Sequence, residues 1–147
     1  MPTETDHIAK AVSNQRAIEH LLTRTDGGFP DWVVTIAFYK ALHIVEALFA
    51  RDPAISHTQT HEQRERVLKK THRYAHVWKH YAPLFRASLV ARYLRDGQGT
   101  VVDFSAYMPM PQVRSEILGH RLRQIENSAR KMLSAESVKA LDAPVGA

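Results

Sequence analysis

One long apolar segment, residues 31–50, constrains the fold of this chain more than any other part of the sequence. The segment is apolar enough to form a buried helix, yet it contains Tyr39, Lys40, His43 and Glu46. At about 100° per residue these four side chains fall within a sector of roughly 120°, and apolar residues fill most of the remaining surface. Because polar groups on a buried helix need partners, we expect His43 to be either a satisfied core histidine or part of a site.

Length, cysteine content and charge narrow the class of protein. A chain of 147 residues is long enough for one domain with its own core, and the absence of cysteine excludes disulfides, thiol catalysis and cysteine-based zinc sites. The N-terminus has no apolar signal core, and polar residues interrupt the longest apolar run, so we expect a soluble cytoplasmic protein without a membrane partner. The net charge of +5 favours an anionic partner, while an ordinary solvated surface has the same balance.

Helix start and stop signals divide the chain into five predicted helices. They cover residues 5–22, residues 31–50 with Asp31 as N-cap, about three turns after the capping box at 60–63, residues 81–95 with Pro83 in the first turn, and residues 112–133. No β-hairpin signal or repeat is visible. The sequence therefore predicts an all-α fold, an antiparallel bundle of about five helices. We expect the second helix at its centre, one domain over residues 1–134 and a flexible C-terminal tail over 135–147.

Short groups of residues in the second, third and fourth predicted helices carry a resemblance to a known family. The groups are Asp31-Trp32, Phe38-Tyr39 and Ala41-Leu42-His43; then His61-Glu62-Gln63-Arg64; then Tyr81, Leu84, Ser88 and Ala91-Arg92-Tyr93. With them the chain resembles the HEPN superfamily, small helical bundles of prokaryotic toxin and defence systems and of several RNases. The resemblance implies a homodimer, a cognate antitoxin as protein partner, and RNA or nucleotide phosphate as ligand, with no cofactor.

Active members of that superfamily cleave RNA without metal, using an Arg and a His a few residues apart. Two pairs in this chain have that spacing, Arg66 with His72 and Arg114 with His120. In a chain rich in Arg and His such pairs also arise by chance. Six positions along a helix place two side chains about 120° apart, which is poor geometry for a shared site.

A second candidate cluster comes from the residues that carry the resemblance. Arginine suits phosphate because it is a fixed cation with a fork of donors, and histidine suits proton transfer because its pKa lies near neutrality. The predicted catalytic residues are His43, His61, Arg64 and Arg92, and the predicted substrate-binding residues are Tyr39, Ser88, Tyr93, Lys70 and Arg73. The alternative is a buried polar network in which Glu46 or Asp31 neutralises the arginines.

The segment 64–81 interleaves basic and aromatic residues. Lys70 and Arg73 are expected to position phosphates, and Tyr74, Trp78 and Tyr81 offer stacking surfaces, unless the aromatic residues are core anchors. His72, His76 and His80 would form a ladder on one helical face, but the surrounding lysines and arginines oppose a dication, so we expect no metal. The sequence thus favours an RNA- or nucleotide-phosphate-binding protein with metal-independent endoribonuclease chemistry. The alternatives are a non-catalytic interaction module and a metal protein built on the histidine ladder.

Overall fold

The computed structural model describes residues 1–24, 28–55, 57–95 and 98–144 of the chain. Its elements in order are α1 (Glu4–Leu22), α2 (Pro30–Ala50), α3 (His61–Lys70), a 3₁₀ turn (His72–Tyr74), α4 (Ala75–Tyr93), α5 (Phe104–Tyr107), α6 (Met110–Gln112), a π-helical segment (Val113–Leu122), α7 (Arg123–Arg130) and α8 (Ala135–Asp142). Within these ranges the extended pairing is limited to an isolated bridge between Arg95 and Val101. The predicted all-α class is confirmed, although the helical segments outnumber the five that were expected.

The helix α2 lies at the centre of the bundle, as its apolar sequence predicts. Helix α1 runs antiparallel to it, because Glu4 at the start of α1 pairs with Arg51 at the end of α2. On another side α4 also runs antiparallel, since Phe38 packs on Phe85 and Phe49 packs on Tyr74. Burial of this continuous apolar surface is the main source of stability of such a bundle.

By length and composition α2 is also apolar enough to cross a membrane. In the bundle, however, 72% of its most apolar 18-residue window is buried inside the protein. The apolar side chains of α2 therefore serve to pack against α1 and α4, as in the core helix of a bundle.

The predicted N-terminal cap is found at α3 but not at α2. At α3 the capping box is present, because the Thr60 hydroxyl accepts from the Gln63 amide and the Gln63 side chain accepts from the Thr60 amide. The expectation that Asp31 caps α2 is wrong. Phe29 occupies the N-cap position with a left-handed φ of 53°, and Pro30 is the first helical residue. Proline suits that position because its fixed φ is helical and it lacks only an amide that would be unpaired there.

The fourth and last predicted helices have different bounds in the structure. Helix α4 begins at Ala75 rather than residue 81, so Pro83 lies inside it instead of in its first turn. It ends at Tyr93, two residues before the predicted end, and Leu94 follows as C-cap with a left-handed φ of 56°. The stop was predicted over residues 96–99, of which 96 and 97 lie outside the described residues. The last predicted helix begins two residues early, at Met110, and its first turns from Val113 are π-helical.

The C-terminal region differs from the predicted tail. Residues Ala135–Asp142 form α8, so the expectation that the chain frays from residue 135 is wrong for this segment. The Ser134 amide donates to Glu4 Oε1 over 2.9 Å and the Ser137 hydroxyl donates to the same atom. Burial opposes ionisation of Glu4, but these hydrogen bonds outweigh it and lower the pKa of Glu4. The same hydrogen bonds hold α8 against the start of α1. Residues 145–147 lie outside the described residues.

Candidate functional site

The predicted site residues divide into a buried group and a half-exposed group. Arg64 lies in the first, and the half-buried His43 adjoins it between α1, α2 and α3; each has an internal partner. Arg92, Tyr39 and Tyr93 lie in the second, on the surface between α2 and α4. His61 lies between the two groups.

Arg64 forms a buried ion pair with Glu46. The Arg64 Nε donates to Glu46 Oε1 over 2.7 Å, and the two side chains are only 6% and 5% exposed. The Thr58 hydroxyl donates to the same carboxylate oxygen. The guanidinium is thus neutralised inside the protein, so the prediction that Arg64 holds phosphate is not supported by this geometry. The alternative interpretation, in which Glu46 neutralises an arginine, describes what is found.

His43 is engaged with α1 rather than with the predicted cluster. Its Nδ1 lies 3.1 Å from the Nδ1 of His7, so one ring donates a proton to the other. Burial, followed by the charges of His7 and Lys10, lowers the pKa of His43 to about 4. Burial also lowers the pKa of His7. Both rings are therefore neutral at pH 7, and together they form a hydrogen-bonded pair linking two helices. Nothing in the sequence pattern identified His7 as the partner.

Arg92 lies among aromatic rings on the half-exposed surface. Its guanidinium carbon is 5.6 Å from the centre of the Phe38 ring, 5.7 Å from that of Tyr39 and 5.3 Å from that of Tyr93. It donates to the Tyr39 hydroxyl, to the Ser88 carbonyl and to the Ser88 hydroxyl, each over 3.3 Å. Among the described residues no carboxylate forms an ion pair with it. Its positive charge is therefore held in place by neutral groups.

His61 connects the buried and the half-exposed groups. Its Nδ1 lies 3.2 Å from an Arg64 nitrogen, and because arginine only donates, this ring nitrogen accepts and Nε2 carries the proton. Its ring packs on the same Phe38 ring that Arg92 covers, with centroids 5.8 Å apart. Burial, followed by the charges of Arg64 and Arg92, lowers the pKa of His61. His61 is consequently a neutral, partly accessible imidazole beside the Arg92 surface.

The interleaved segment contributes less to this surface than its sequence suggests. Tyr74 and Tyr81 are 3% and 0% exposed, so for these two rings the core-anchor alternative describes what is found and stacking on bases does not. Burial raises the pKa of Tyr81. Trp78 is half-buried beneath the Lys69 ammonium, 5.0 Å from its ring centre.

The two predicted phosphate ligands of this segment have different surroundings. Lys70 is exposed at the end of α3. Arg73, in contrast, is paired with the Asp52 carboxylate and packs over the Tyr74 ring. The charge of Arg73 is therefore compensated, and of these two residues Lys70 alone presents a solvent-exposed cation.

The two Arg/His pairs with nuclease-like spacing have separate partners. Arg66 pairs with Glu62, and His72 is exposed in the 3₁₀ turn beyond α3. Arg114 donates to the Leu22 carbonyl, while His120 pairs with Glu116. Neither pair is brought together by these contacts.

The predicted histidine ladder is interrupted. His72 belongs to the 3₁₀ turn, whereas His76 and His80 lie on α4 with ring centroids 4.8 Å apart. Across the residues that the structure describes, no group of three or more His, Asp or Glu side chains is placed to hold a metal ion. The one-faced ladder on which the metal interpretation depended is thus not formed.

No family model, curated protein sequence or solved structure matches this chain. The resemblance to the HEPN superfamily, the homodimer and the antitoxin partner therefore stay predictions, and the geometry described above is the basis for a functional proposal.

Proposed function

We propose that this chain is a single-stranded RNA-binding helical bundle, and that it holds an RNA phosphate at Arg92. The observation that carries the proposal is the Arg92 guanidinium, fixed among the rings of Phe38, Tyr39 and Tyr93 with no carboxylate among its described partners. A cation held by neutral groups keeps its attraction for an anion. Its orientation is already fixed, so little conformational entropy is lost when phosphate binds.

The side chains around Arg92 suit a strand of unpaired nucleotides. Tyr93 is 62% exposed and offers a ring on which a base can stack. Away from Arg92, the exposed Lys70 at the far end of α3 from His61 and the net charge of +5 add long-range attraction for the phosphate backbone. Bases stack on aromatic rings without regard to sequence, so the proposed binding discriminates single-stranded from paired RNA more strongly than it discriminates base identity.

The hypothesised chemistry at this site is metal-independent cleavage, now assigned to His61 and Arg92 alone. For this step His61 Nδ1 gives up its hydrogen bond with Arg64 and accepts the proton of the ribose 2′-hydroxyl, while the 2′-oxygen attacks the adjacent phosphorus. Arg92 stabilises the added negative charge on the phosphorane oxygens. The bond to the 5′-oxygen then breaks and a water molecule supplies a proton to that oxygen, while the His61 imidazolium returns its proton to the same water. The products carry a 2′,3′-cyclic phosphate and a 5′-hydroxyl, and His61 is neutral again. His43 and Arg64 have structural roles in this proposal.

The experiment is fluorescence anisotropy of a labelled single-stranded RNA in buffer containing EDTA. Arg92→Gln removes the cation, so we expect affinity to fall about tenfold or more, whereas the matched control Arg66→Gln changes it less than about threefold. Unchanged affinity in Arg92→Gln would contradict the proposal.

The cleavage hypothesis has its own readout. Incubation of the same RNA is expected to produce cyclic-phosphate ends, and His61→Asn is expected to abolish cleavage while binding remains. RNA that is bound but stays intact would retain the binding proposal and reject the catalytic one.

A second candidate is a non-catalytic interaction module, and the buried network of Arg64, Glu46 and Thr58 favours it. Polar residues that tie helices together in this way specify one packing arrangement without contacting a ligand. An absence of RNA binding in the anisotropy experiment, together with a folded wild-type protein, would support this candidate.

A further inference from the structure

A cavity of about 440 Å³ lies on a different side of α4 from the Arg92 surface. It is open to solvent and is lined by α4, by Tyr107 of α5 and by the π-helical segment. Arg86 and Arg92 are six residues apart on α4, which separates their directions by about 120°. The cavity is therefore a site distinct from the one described above, and none of the predicted functional residues lines it.

Three arginines line this cavity: Arg86, Arg95 and Arg121. Arg86 is exposed, and within the described ranges it forms no ion pair. Arg95 donates to the Gly99 carbonyl over 3.2 Å, which leaves its charge uncompensated by that contact. Glu116 is the one acidic side chain among the described residues of the lining, and it lies 3.7 Å from His120. The electrostatic character of the cavity is positive.

Arg121 is oriented by a neutral partner. One of its guanidinium nitrogens lies 3.2 Å from His80 Nδ1, which must accept because arginine only donates. Burial, followed by the charges of His76 and Arg121, lowers the pKa of His80 to about 4, so the ring is neutral at pH 7. The guanidinium is thus positioned without being neutralised. Its remaining donors stay available for an anion at the cavity.

The rest of the cavity wall is apolar and aromatic. Pro83, Ala87, Val90, Met108 and Ile117 form much of the lining, and Tyr107 is 44% exposed at the same site. Arg121 and Glu116 come from the π-helical segment, whose wider turns are frequent at functional sites. A ligand complementary to these walls has an anionic group for the arginines and a flat apolar part for Tyr107 and the aliphatic side chains.

We propose that this cavity binds an organic phosphate, with the phosphate between Arg86 and Arg121 and a flat apolar group against Tyr107. A phosphate matches the two arginines of this lining because each guanidinium group presents a fork of donors in a fixed plane. The apolar wall adds affinity that inorganic phosphate cannot use. This proposal does not depend on RNA binding at Arg92, since it concerns other residues on another side of α4.

Calorimetric titration with phenyl phosphate and, separately, with inorganic phosphate tests the site. We expect saturable binding of phenyl phosphate at one site per chain, about tenfold tighter than that of inorganic phosphate. The double variant Arg86→Gln/Arg121→Gln is expected to lose about tenfold or more of this affinity. The matched control Arg16→Gln/Arg66→Gln removes the same charge from exposed positions elsewhere and is expected to retain it.

The proposal is overturned by an absence of saturable phenyl phosphate binding, by equal affinity for phenyl and inorganic phosphate, or by unchanged affinity in the double variant. Should circular dichroism show that the double variant is unfolded, Arg86→Gln alone decides, because this side chain is exposed and forms no ion pair with the other described residues. Tyr107→Ala is expected to weaken phenyl phosphate and leave inorganic phosphate unchanged. An unchanged affinity for phenyl phosphate in that variant would also contradict the assignment.

A last comparison distinguishes a free small molecule from the end of an RNA strand. A 5′-phosphorylated oligonucleotide that binds more tightly than the same oligonucleotide with a 5′-hydroxyl, and loses this difference in the double variant, assigns the site to a strand end. Phenyl phosphate binding without such a difference assigns it to a small molecule. Both results support an organic phosphate in the cavity, and they remain interpretable when Arg92→Gln has no effect on RNA.

Discussion

At the scale of single residues, Arg64 and Arg92 show how surroundings decide the role of the same side chain. Arg64 lies against the Glu46 carboxylate in the interior, while Arg92 lies over aromatic rings and next to neutral hydrogen-bond partners. The sequence identifies both as polar residues on core-facing helices. It does not contain the distance from residue 46 to residue 64, or from residue 7 to residue 43, because helix packing sets those distances. The candidate site was therefore predicted only in part.

Removing one partner of the buried ion pair is expected to destabilise the protein strongly. Arg64→Met leaves the Glu46 carboxylate buried without a cation, which costs about 3–5 kcal/mol in the free energy of unfolding. The control Arg66→Met removes an exposed pair with Glu62, whose side chains are 56% and 83% exposed, and is expected to cost less than about 0.5 kcal/mol. Urea denaturation measures both values.

The double variant Glu46→Gln/Arg64→Met separates the loss of the ion pair from the cost of leaving the Glu46 carboxylate buried without a cation. Because no unpaired charge remains buried, it is expected to recover a large part of the stability lost in Arg64→Met. A loss below about 1 kcal/mol in Arg64→Met would show that the guanidinium is not committed to Glu46, and would return Arg64 to the list of phosphate ligands.

The His7–His43 pair predicts a dependence of stability on pH. The pKa of His43 falls from 6.5 to about 4 on folding, chiefly because of burial, so the unfolded chain takes up its proton first as the pH decreases. The contribution of this neutral histidine is complete above pH 6.5 and is lost between pH 6.5 and about pH 4. In urea denaturation across this window, His43→Asn is expected to show a shallower decline than wild type. The exposed control His72→Asn is expected to keep the wild-type slope, and an identical slope for His43→Asn would contradict the assignment.

At the scale of helices, the sequence predicts what local side chains determine and misses what tertiary contacts determine. The start of α3 was predicted because Thr60 and Gln63 satisfy each other's backbone amides within four residues. Helix α8 was missed because an isolated helix of that length is marginal, and contacts with Glu4 hold it. The early start of α4 was missed because burial of Val77 and His80, rather than a capping signal, extends the helix before Pro83.

Loss of the α3 cap is expected to reduce stability and to disturb His61, the first residue of that helix. Thr60→Ala removes the hydroxyl that accepts from the Gln63 amide, at a cost of about 1 kcal/mol. Thr71→Ala, at the other end of α3, is the matched control, because the Thr71 side chain makes no capping hydrogen bond. Urea denaturation is expected to show a clear loss for the first variant and a smaller one for the second. Equal losses would mean that the cap does not position α3.

At the scale of the whole molecule, the structure assigns separate tasks to polar groups on different sides of the bundle. The interior between α1, α2 and α3 is held together by His7, His43, Glu46 and Arg64. Uncompensated positive charge lies instead on α4 and its neighbours, at Arg92 and around the cavity lined by Arg86 and Arg121. The excess of basic residues in the sequence predicts that the partner is negatively charged. Which basic residues remain open to that partner depends on the fold.

The assignment of RNA binding to the Arg92 surface is measured most directly by the change in backbone amide NMR signals when a short single-stranded RNA is added in EDTA. We expect the largest shifts at Tyr39, Ser88, Arg92 and Tyr93, with little change at His7, His43 and Glu46. No shifts at saturating RNA, or shifts centred on His43 and Arg64, would contradict the assignment.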